Sequence, residues 1–175
     1  MIFRRRTAHA AAASSPALTT NGAQVAPEVP AAAKKILLVD DDPVILGALS
    51  LKLKAQGYRV VTASDGSQAI NAARKERPDV MLLDVCFPPD VAHGGGVPWN
   101  GFLIMDWLRR LDETRKLPVI VMTAADKDEY KKRASEVGAT AFFRKPIDNQ
   151  ELLTAIDTAL LRKEDAAATQ AATAS

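Results

Sequence analysis

The sequence predicts an α/β fold, a doubly wound five-stranded parallel sheet with strand order 2-1-3-4-5 and helices on both faces. Short apolar runs alternate five times with amphipathic helical patterns between residues 34 and 164. Such runs are typical of parallel strands that are buried on both faces. Crossovers between parallel strands are right-handed, which leaves few topologies, and we expect the 2-1-3-4-5 order among them.

The first half of the domain contains three predicted strands and two helices. Residues 36–39 are the first apolar run, after which Asp42 and Pro43 suit the N-cap and first position of a helix. Gly57 ends this helix. Its apolar face is formed by Leu46, Leu49 and Leu53. The later elements are a strand at 59–63, a turn at Asp65-Gly66, a helix at about 67–76 and a strand at 80–83.

The second half continues the alternation. A helix over about residues 102–111 precedes a strand at 119–122, and a helix over 126–137 ends at Gly138 before a strand at 140–143. Asp148 is expected to cap the last helix. The apolar stripes of the three helices are Ile104, Trp107, Leu108 and Leu111; then Tyr130, Ala134 and Val137; then Leu153, Ile156 and Leu160.

Composition divides the chain into a domain at 34–164 and two tails. Residues 1–33 are rich in Ala, Ser and Pro and have few large apolar side chains, so we expect a disordered tail. Three arginines at positions 4–6 leave a targeting peptide open as an alternative. Residues 165–175 are Ala/Thr-rich and are expected to be a second disordered tail.

Charge and cysteine content exclude several classes of function. The net charge is only +2, and the basic excess lies in residues 1–35, which leaves the folded part mildly acidic. A nucleic-acid partner is therefore not expected. The single cysteine, Cys86, fits a reducing compartment and a cytoplasmic location. No apolar run reaches the ~18 residues that a membrane span needs.

Four predicted strands end in residues that suit phosphoryl chemistry. The first is followed by Asp40 and Asp41, the third by Asp84, the fourth by Thr123 and the fifth by Lys145. The carboxyl ends of parallel strands share one edge of the sheet, where α/β proteins build their sites. Clustered carboxylates repel unless a cation joins them, and Mg²⁺ prefers such oxygen ligands.

These residue types also suggest separate roles. A rigidly held carboxylate at position 84 can attack phosphorus and form an aspartyl phosphate. Lys145 and a divalent metal would neutralise the charge that develops on the equatorial oxygens. Thr123 can donate a hydrogen bond to a phosphoryl oxygen, whereas Asp42 is better explained as a helix cap.

The sequence resembles the response-regulator receiver domains of two-component signalling, in particular the stand-alone, chemotaxis-type receivers. Four motifs carry the resemblance, in order and at the expected element boundaries. They are ILLVDDDP at 36–43, PDVMLLD at 78–84, VIVMTA at 119–124 and FFRKP at 142–146. The resemblance covers nearly all of the folded region and implies a flavodoxin-like fold.

The resemblance implies a role for each matching position. Asp84 matches the phosphoacceptor, so the protein is not expected to be an enzyme in the ordinary sense, although it assists its own phosphotransfer and dephosphorylation. Asp40, Asp41, Asp84 and the backbone carbonyl of Cys86 match the residues that hold Mg²⁺ (or Mn²⁺), with Asp41 as a direct ligand and Asp40 as the acid that often acts through water. Lys145 matches the lysine that binds the phosphoryl group. Thr123 matches the hydroxyl of the conformational relay, and Phe142 matches the aromatic residue that turns inward when the phosphoryl group pulls Thr123.

The resemblance also implies partners. The phosphate would come from a histidine kinase or a histidine phosphotransfer protein. The output would be contact with another protein through the face made by the fourth helix, fifth strand and fifth helix, and a phosphorylation-dependent homodimer is possible. Candidate contact residues on that face are Lys131, Lys132, Arg133 and Glu136.

The chain departs from the family pattern in an enlarged loop at residues 88–100. The glycine that matches the family's next glycine is Gly101, about nine residues later than usual. Because the loop starts beside Asp84, we expect it to limit access of water or a phosphatase, or to select the partner; a decorative loop is the alternative.

Two other functions stay open from the sequence. One is a receiver-like binding module that works without phosphorylation, which the complete set of site residues disfavours. The other is a flavodoxin-type redox protein, which shares the strand order. Its phosphate-binding loop would follow the first strand, where this chain is acidic and would repel a flavin phosphate.

Overall fold

The computed structural model describes residues 33–86, 100–125 and 128–173, in which five parallel strands form one sheet. The strand order is β2-β1-β3-β4-β5, which confirms the predicted fold class. The strands are β1 Lys35–Val39, β2 Arg59–Ala63, β3 Val80–Asp84, β4 Val119–Thr123 and β5 Ala141–Arg144. The helices are α1 Pro43–Ala55, α2 Gly66–Glu76, α3 Gly101–Arg110, α4 Asp128–Glu136 and α5 Asn149–Thr173.

Two apolar cores lie on the two faces of the sheet. Alternation along β1 explains the division, since Leu37 and Val39 belong to one core and Ile36 and Leu38 to the other. Buried residues of α2, α3 and α4 complete the first core, and those of α1 and α5 complete the second. Burial on both sides holds the central strands rigid, so their carboxyl ends are fixed platforms for polar groups.

Side-chain caps start the helices where the sequence places them. Asp42 Oδ1 accepts hydrogen bonds from the N–H groups of Val44 (2.8 Å) and Ile45 (3.4 Å). Asp65 caps α2 through the Gln68 N–H at 2.8 Å, and Asp148 caps α5 through two N–H groups. The predicted capping roles of Asp42 and Asp148 are therefore confirmed.

Replacing Asp42 should weaken the fold through this cap alone. We expect Asp42→Ala to lower the free energy of unfolding by about 1 kcal/mol, because two N–H groups of α1 lose their acceptor. Asp42→Asn should retain most of that stability, since its amide oxygen accepts the same bonds. Urea denaturation of both variants measures the difference, and equal losses would contradict a capping role.

The last helix differs from the prediction. The composition of residues 165–173 predicts disorder, but α5 continues through them to Thr173. Alanine has the highest helix propensity of all residues, so an Ala-rich segment that follows an established helix can propagate it without a new nucleus. The N-terminal tail was also predicted to be disordered, but residues 1–32 lie outside the described part of the chain.

The predicted apolar stripe of α3 is also partly wrong. Ile104 and Leu108 are fully buried as predicted, but Trp107 is 45% exposed. At 100° per residue, the buried face is centred on Ile104, Met105 and Leu108, and Trp107 lies on its flank.

The predicted enlarged loop spans residues 88–100, of which only Asn100 is described. Among the described helices, none has the length and apolar character to cross a membrane.

Candidate functional site at the carboxyl edge of the sheet

Strand register brings the predicted site residues to one edge of the sheet. Val39 of β1 pairs with Leu83 of β3, so Asp40 lies beside Asp84, one residue beyond that pair. Asp84 in turn pairs with Met122, which places Thr123 just past it on β4. Lys145 follows β5, and its N–H donates to the carbonyl of Thr123 at 2.7 Å.

Lys145 joins the two buried carboxylates. Its Nζ donates to Asp40 Oδ2 and to Asp84 Oδ2, both at 2.5 Å. Asp40 and Asp84 are 1% and 4% exposed, so both ion pairs are largely shielded from solvent. Lys145 therefore compensates part of the negative charge of both strand-end acids.

Burial and hydrogen bonding have opposite effects on the pKa values of Asp40 and Lys145. Burial raises the pKa of the Asp40 carboxyl, although the hydrogen bond from Lys145 partly opposes the increase. Burial acts to lower the pKa of Lys145, but its hydrogen bonds to Asp40 and Asp84 outweigh this effect and raise it. One ammonium therefore neutralises only part of the negative charge that the three carboxylates of the edge carry together.

The acids Asp40, Asp41 and Asp84 fit a divalent metal. Each offers a carboxylate oxygen, and these oxygens all lie within 4.8 Å of one another. Oxygen ligands around Mg²⁺ lie about 3–4 Å apart, so the spacing of these acids is compatible with a shared ion. Asp41 is exposed, which gives a hydrated ion access. Without a cation, two unit charges 4.8 Å apart repel by about 3.5 kcal/mol at an effective dielectric near 20, and closer pairs repel more strongly.

A turn after β3 carries a contact that the sequence did not suggest. The Cys86 N–H donates to Asp84 Oδ1 at 2.8 Å, which folds the chain back over the strand end. Its sulfur then lies 2.9 Å from Thr123 Oγ1. The resemblance gave Cys86 a role only through its backbone carbonyl, which stays a prediction. No local sequence pattern indicates this contact, because it depends on the pairing of Asp84 with Met122.

Gly101 allows α3 to approach the end of β3. A Cβ atom at this position would lie 2.6 Å from the Asp84 carbonyl oxygen and 2.6 Å from Val85 Cα. Only glycine therefore allows the start of α3 to come so close to the end of β3. The resemblance to receiver domains predicted that Gly101 matches the family's glycine after the third strand. The close packing of α3 against β3 explains why a glycine lies at this position.

The structure also describes the surroundings of Thr123, Phe142 and Arg133. Thr123 is fully buried, and its Oγ1 also accepts the Ala125 N–H at 3.0 Å. Phe142 is half-buried, packs against the core on the α2–α3–α4 face and pairs with Val121, two residues before Thr123. Its inward movement as a relay stays a prediction. Arg133 lies over the Phe102 ring at 4.8 Å, so this candidate contact residue faces α3.

Family comparison agrees with this geometry. The family model of the response regulator receiver domain matches residues 36–157. Protein PilH of Pseudomonas aeruginosa is 34% identical over 121 residues, which are 69% of this chain and 93% of PilH. The probable transcriptional regulatory protein TcrX of Mycobacterium tuberculosis is 36% identical over 124 residues, 71% of this chain but 48% of TcrX. The chain thus spans about half the length of the transcriptional regulators that it matches.

Solved structures show the same fold. The chemotaxis response regulator CheY4 of Vibrio cholerae superposes with a TM-score of 0.63 at 31% identity, covering 73% of this chain and 99% of CheY4. A CheY-like receiver domain from Methanospirillum hungatei gives a TM-score of 0.66 at 26% identity, covering 76% and 98%. The match to the family model over most of the chain excludes the flavodoxin-type redox protein. The chain belongs to the response regulator receiver domain family of two-component signalling.

Proposed function

We propose that this protein accepts a phosphoryl group on Asp84 and signals through protein contact that depends on the phosphorylated state. The observation that carries the proposal is the bridge from Lys145 Nζ to Asp40 and Asp84 at 2.5 Å each. It holds a buried carboxylate at a rigid strand end, with a cation where the negative charge of an incoming phosphoryl group would develop.

The reaction is an in-line displacement at phosphorus. A carboxylate oxygen of Asp84 forms the new O–P bond while the N–P bond of a phosphohistidine breaks, and the leaving imidazole nitrogen keeps the electron pair and takes up a proton. Lys145 would neutralise one phosphoryl oxygen, and Thr123 would donate a hydrogen bond to another. The Cys86 N–H at 2.8 Å keeps the Asp84 carboxylate oriented throughout.

Asp40, Asp41 and Asp84 would hold Mg²⁺ or Mn²⁺, with the carbonyl of Cys86 as a further ligand. When bound, the ion supplies charge neutralisation for the acids and for the phosphoryl oxygens. Lys145 by itself leaves that neutralisation incomplete, which supports the need for a metal. The open side of Asp41 is where the ion would retain its waters.

The phosphate would come from a histidine kinase or a histidine phosphotransfer protein. The α4–β5–α5 face would carry the output, with Lys131, Lys132 and Glu136 exposed on α4. A phosphorylation-dependent homodimer through the same face is a second form of output. Size-exclusion chromatography of the phosphorylated protein tests for this dimer. PilH, which this chain covers over most of its length, supports action as a single domain.

Phosphorylation in vitro tests the proposal directly. Incubation with a small phosphodonor and Mg²⁺ should add one phosphoryl group, visible by intact mass, and chelation should prevent it. Asp84→Asn should abolish the gain. Asp42→Asn is the matched control, because it removes an acid of the same edge whose side chain serves α1, and it should still be phosphorylated.

A folded wild-type protein that gains no phosphoryl group would contradict the proposal. A binding partner that is retained equally by wild type and Asp84→Asn would then favour the phosphorylation-independent module.

A further inference from the structure

The Cys86 side chain occupies the position next to the hydroxyl that the proposed reaction needs. Its sulfur is 2.9 Å from Thr123 Oγ1. The contact follows from the turn in which the Cys86 N–H bonds to Asp84 Oδ1, because this turn directs residue 86 towards the end of β4. Asp84, Cys86 and Thr123 are therefore linked in one chain of contacts before any phosphoryl group arrives.

The direction of the hydrogen bond can be assigned. The Ala125 N–H can only donate, and it already donates to Thr123 Oγ1 at 3.0 Å. Thr123 is fully buried, so its own proton needs an acceptor within the protein. Among the described residues, the Cys86 sulfur is the acceptor that the hydroxyl reaches. Donation from Thr123 to sulfur pairs the buried hydroxyl proton, whereas the reverse direction leaves that proton unpaired. Cys86 is exposed, so its own S–H proton can bond to water.

Thiol sulfur is a weak acceptor, and a charged phosphoryl oxygen is a strong one. We propose that Cys86 is a positioning residue that holds the Thr123 hydroxyl in the unphosphorylated state, and that the hydroxyl exchanges this weak bond for one to the phosphoryl group on Asp84. This inference rests on the proposed phosphorylation of Asp84. The strength of the sulfur contact then sets how readily the protein adopts its phosphorylated conformation.

Beryllofluoride, a stable mimic of the phosphoryl group, measures the exchange. Its affinity in the presence of Mg²⁺ is determined by calorimetry for wild type, Cys86→Ala and Cys86→Val. Both variants remove the sulfur acceptor and keep the backbone carbonyl, and the valine also keeps the bulk of the side chain. We expect both to bind the mimic about three- to tenfold more tightly, because the resting hydroxyl loses its partner. The same changes in a Thr123→Val background should leave the affinity unchanged.

Unfolding without the mimic gives a second, independent readout. Cys86→Ala and Thr123→Val should be coupled in a double-mutant cycle of the resting protein, and the coupling should disappear when the mimic is bound. The measurement on the resting protein applies even if Thr123→Val weakens the mimic below detection.

Equal or weaker binding by both Cys86 variants, or absence of coupling in the resting protein, would overturn the inference. Opposite effects of alanine and valine would also overturn it, because they would indicate bulk rather than hydrogen bonding. If folded wild type fails to bind the mimic at all, the proposed phosphorylation of Asp84 falls together with this inference. If wild type binds normally and only the coupling is absent, the proposed function stands and the role of Cys86 does not.

Discussion

Lys145→Met should lower the free energy of unfolding by about 3 kcal/mol at neutral pH in the absence of Mg²⁺. The substitution leaves Asp40 and Asp84 buried side by side without the ammonium that lies 2.5 Å from each. Removal of one partner from a buried ion pair is costly because the remaining charge is uncompensated. Urea denaturation with and without Mg²⁺ measures the loss, and the metal should restore much of the stability.

The pH dependence of this variant has a defined sign. Burial already raises the pKa of Asp40 above its ordinary value of 3.8, and loss of Lys145 removes the contact that opposes the increase. The folded variant therefore binds more protons than the unfolded chain between pH 3.8 and the raised pKa. Its stability should fall as the pH rises through that range and recover on acidification.

Lys132→Met is the matched control for charge removal. Lys132 is exposed on α4, so its replacement should change the unfolding free energy by less than about 0.5 kcal/mol. The Lys145 variant should also lose phosphorylation, because no cation then faces the phosphoryl oxygens from that side. A Lys145 variant as stable as the Lys132 control would show that the bridge does not compensate the acids.

Gly101→Ala should destabilise the fold by about 2 kcal/mol and slow phosphorylation of Asp84. The added Cβ would meet the Asp84 carbonyl oxygen and Val85 Cα at 2.6 Å. Both are backbone atoms, so no side-chain rotation relieves the overlap, and either α3 or the end of β3 must shift. Thermal unfolding and the rate of phosphorylation by a small phosphodonor measure the two effects.

Gly47→Ala is the control, since it makes the same chemical change on the exposed side of α1. Outside its own helix backbone, no atom of the described residues lies within 4 Å of the place that the added methyl group would take. We expect a gain of about 0.5–1 kcal/mol, because alanine is the better helix former, and no change in phosphorylation. If both glycine variants behave alike, helix propensity rather than close packing against Asp84 explains the effect at Gly101.

Patterns within single segments were sufficient to predict much of this protein. Apolar runs of four residues predict β1, β3 and β4, because strands buried on both faces admit almost no polar side chain. Asp42 and Asp148 predict helix starts for an equally local reason, since a cap bonds to N–H groups two or three residues away. The acids and the lysine at strand ends predict the site, because parallel strands end at a common edge.

Two predictions were wrong, the disorder of residues 165–173 and the burial of Trp107, because in each case two local features of the sequence favour different structures. Alanine and threonine in residues 165–173 indicate low burial, which suggested disorder, but the same alanines favour a helix once α5 exists. Trp107 is apolar and three residues after Ile104, yet the packing of α3 against α2 and the sheet selects a different face of α3.

Residue patterns are sufficient to predict the sheet, its strand order and the acids, hydroxyl and lysine at its carboxyl edge. They do not predict which of these groups are in contact, because those contacts appear only in the folded protein. Lys145 reaches Asp40 across 105 residues of chain, and Cys86 reaches Thr123 across 37. Such contacts depend on strand register and on the turn after Asp84. The residue pattern of a single segment does not predict them, because the packing of the whole sheet determines which side chains of neighbouring strands are paired.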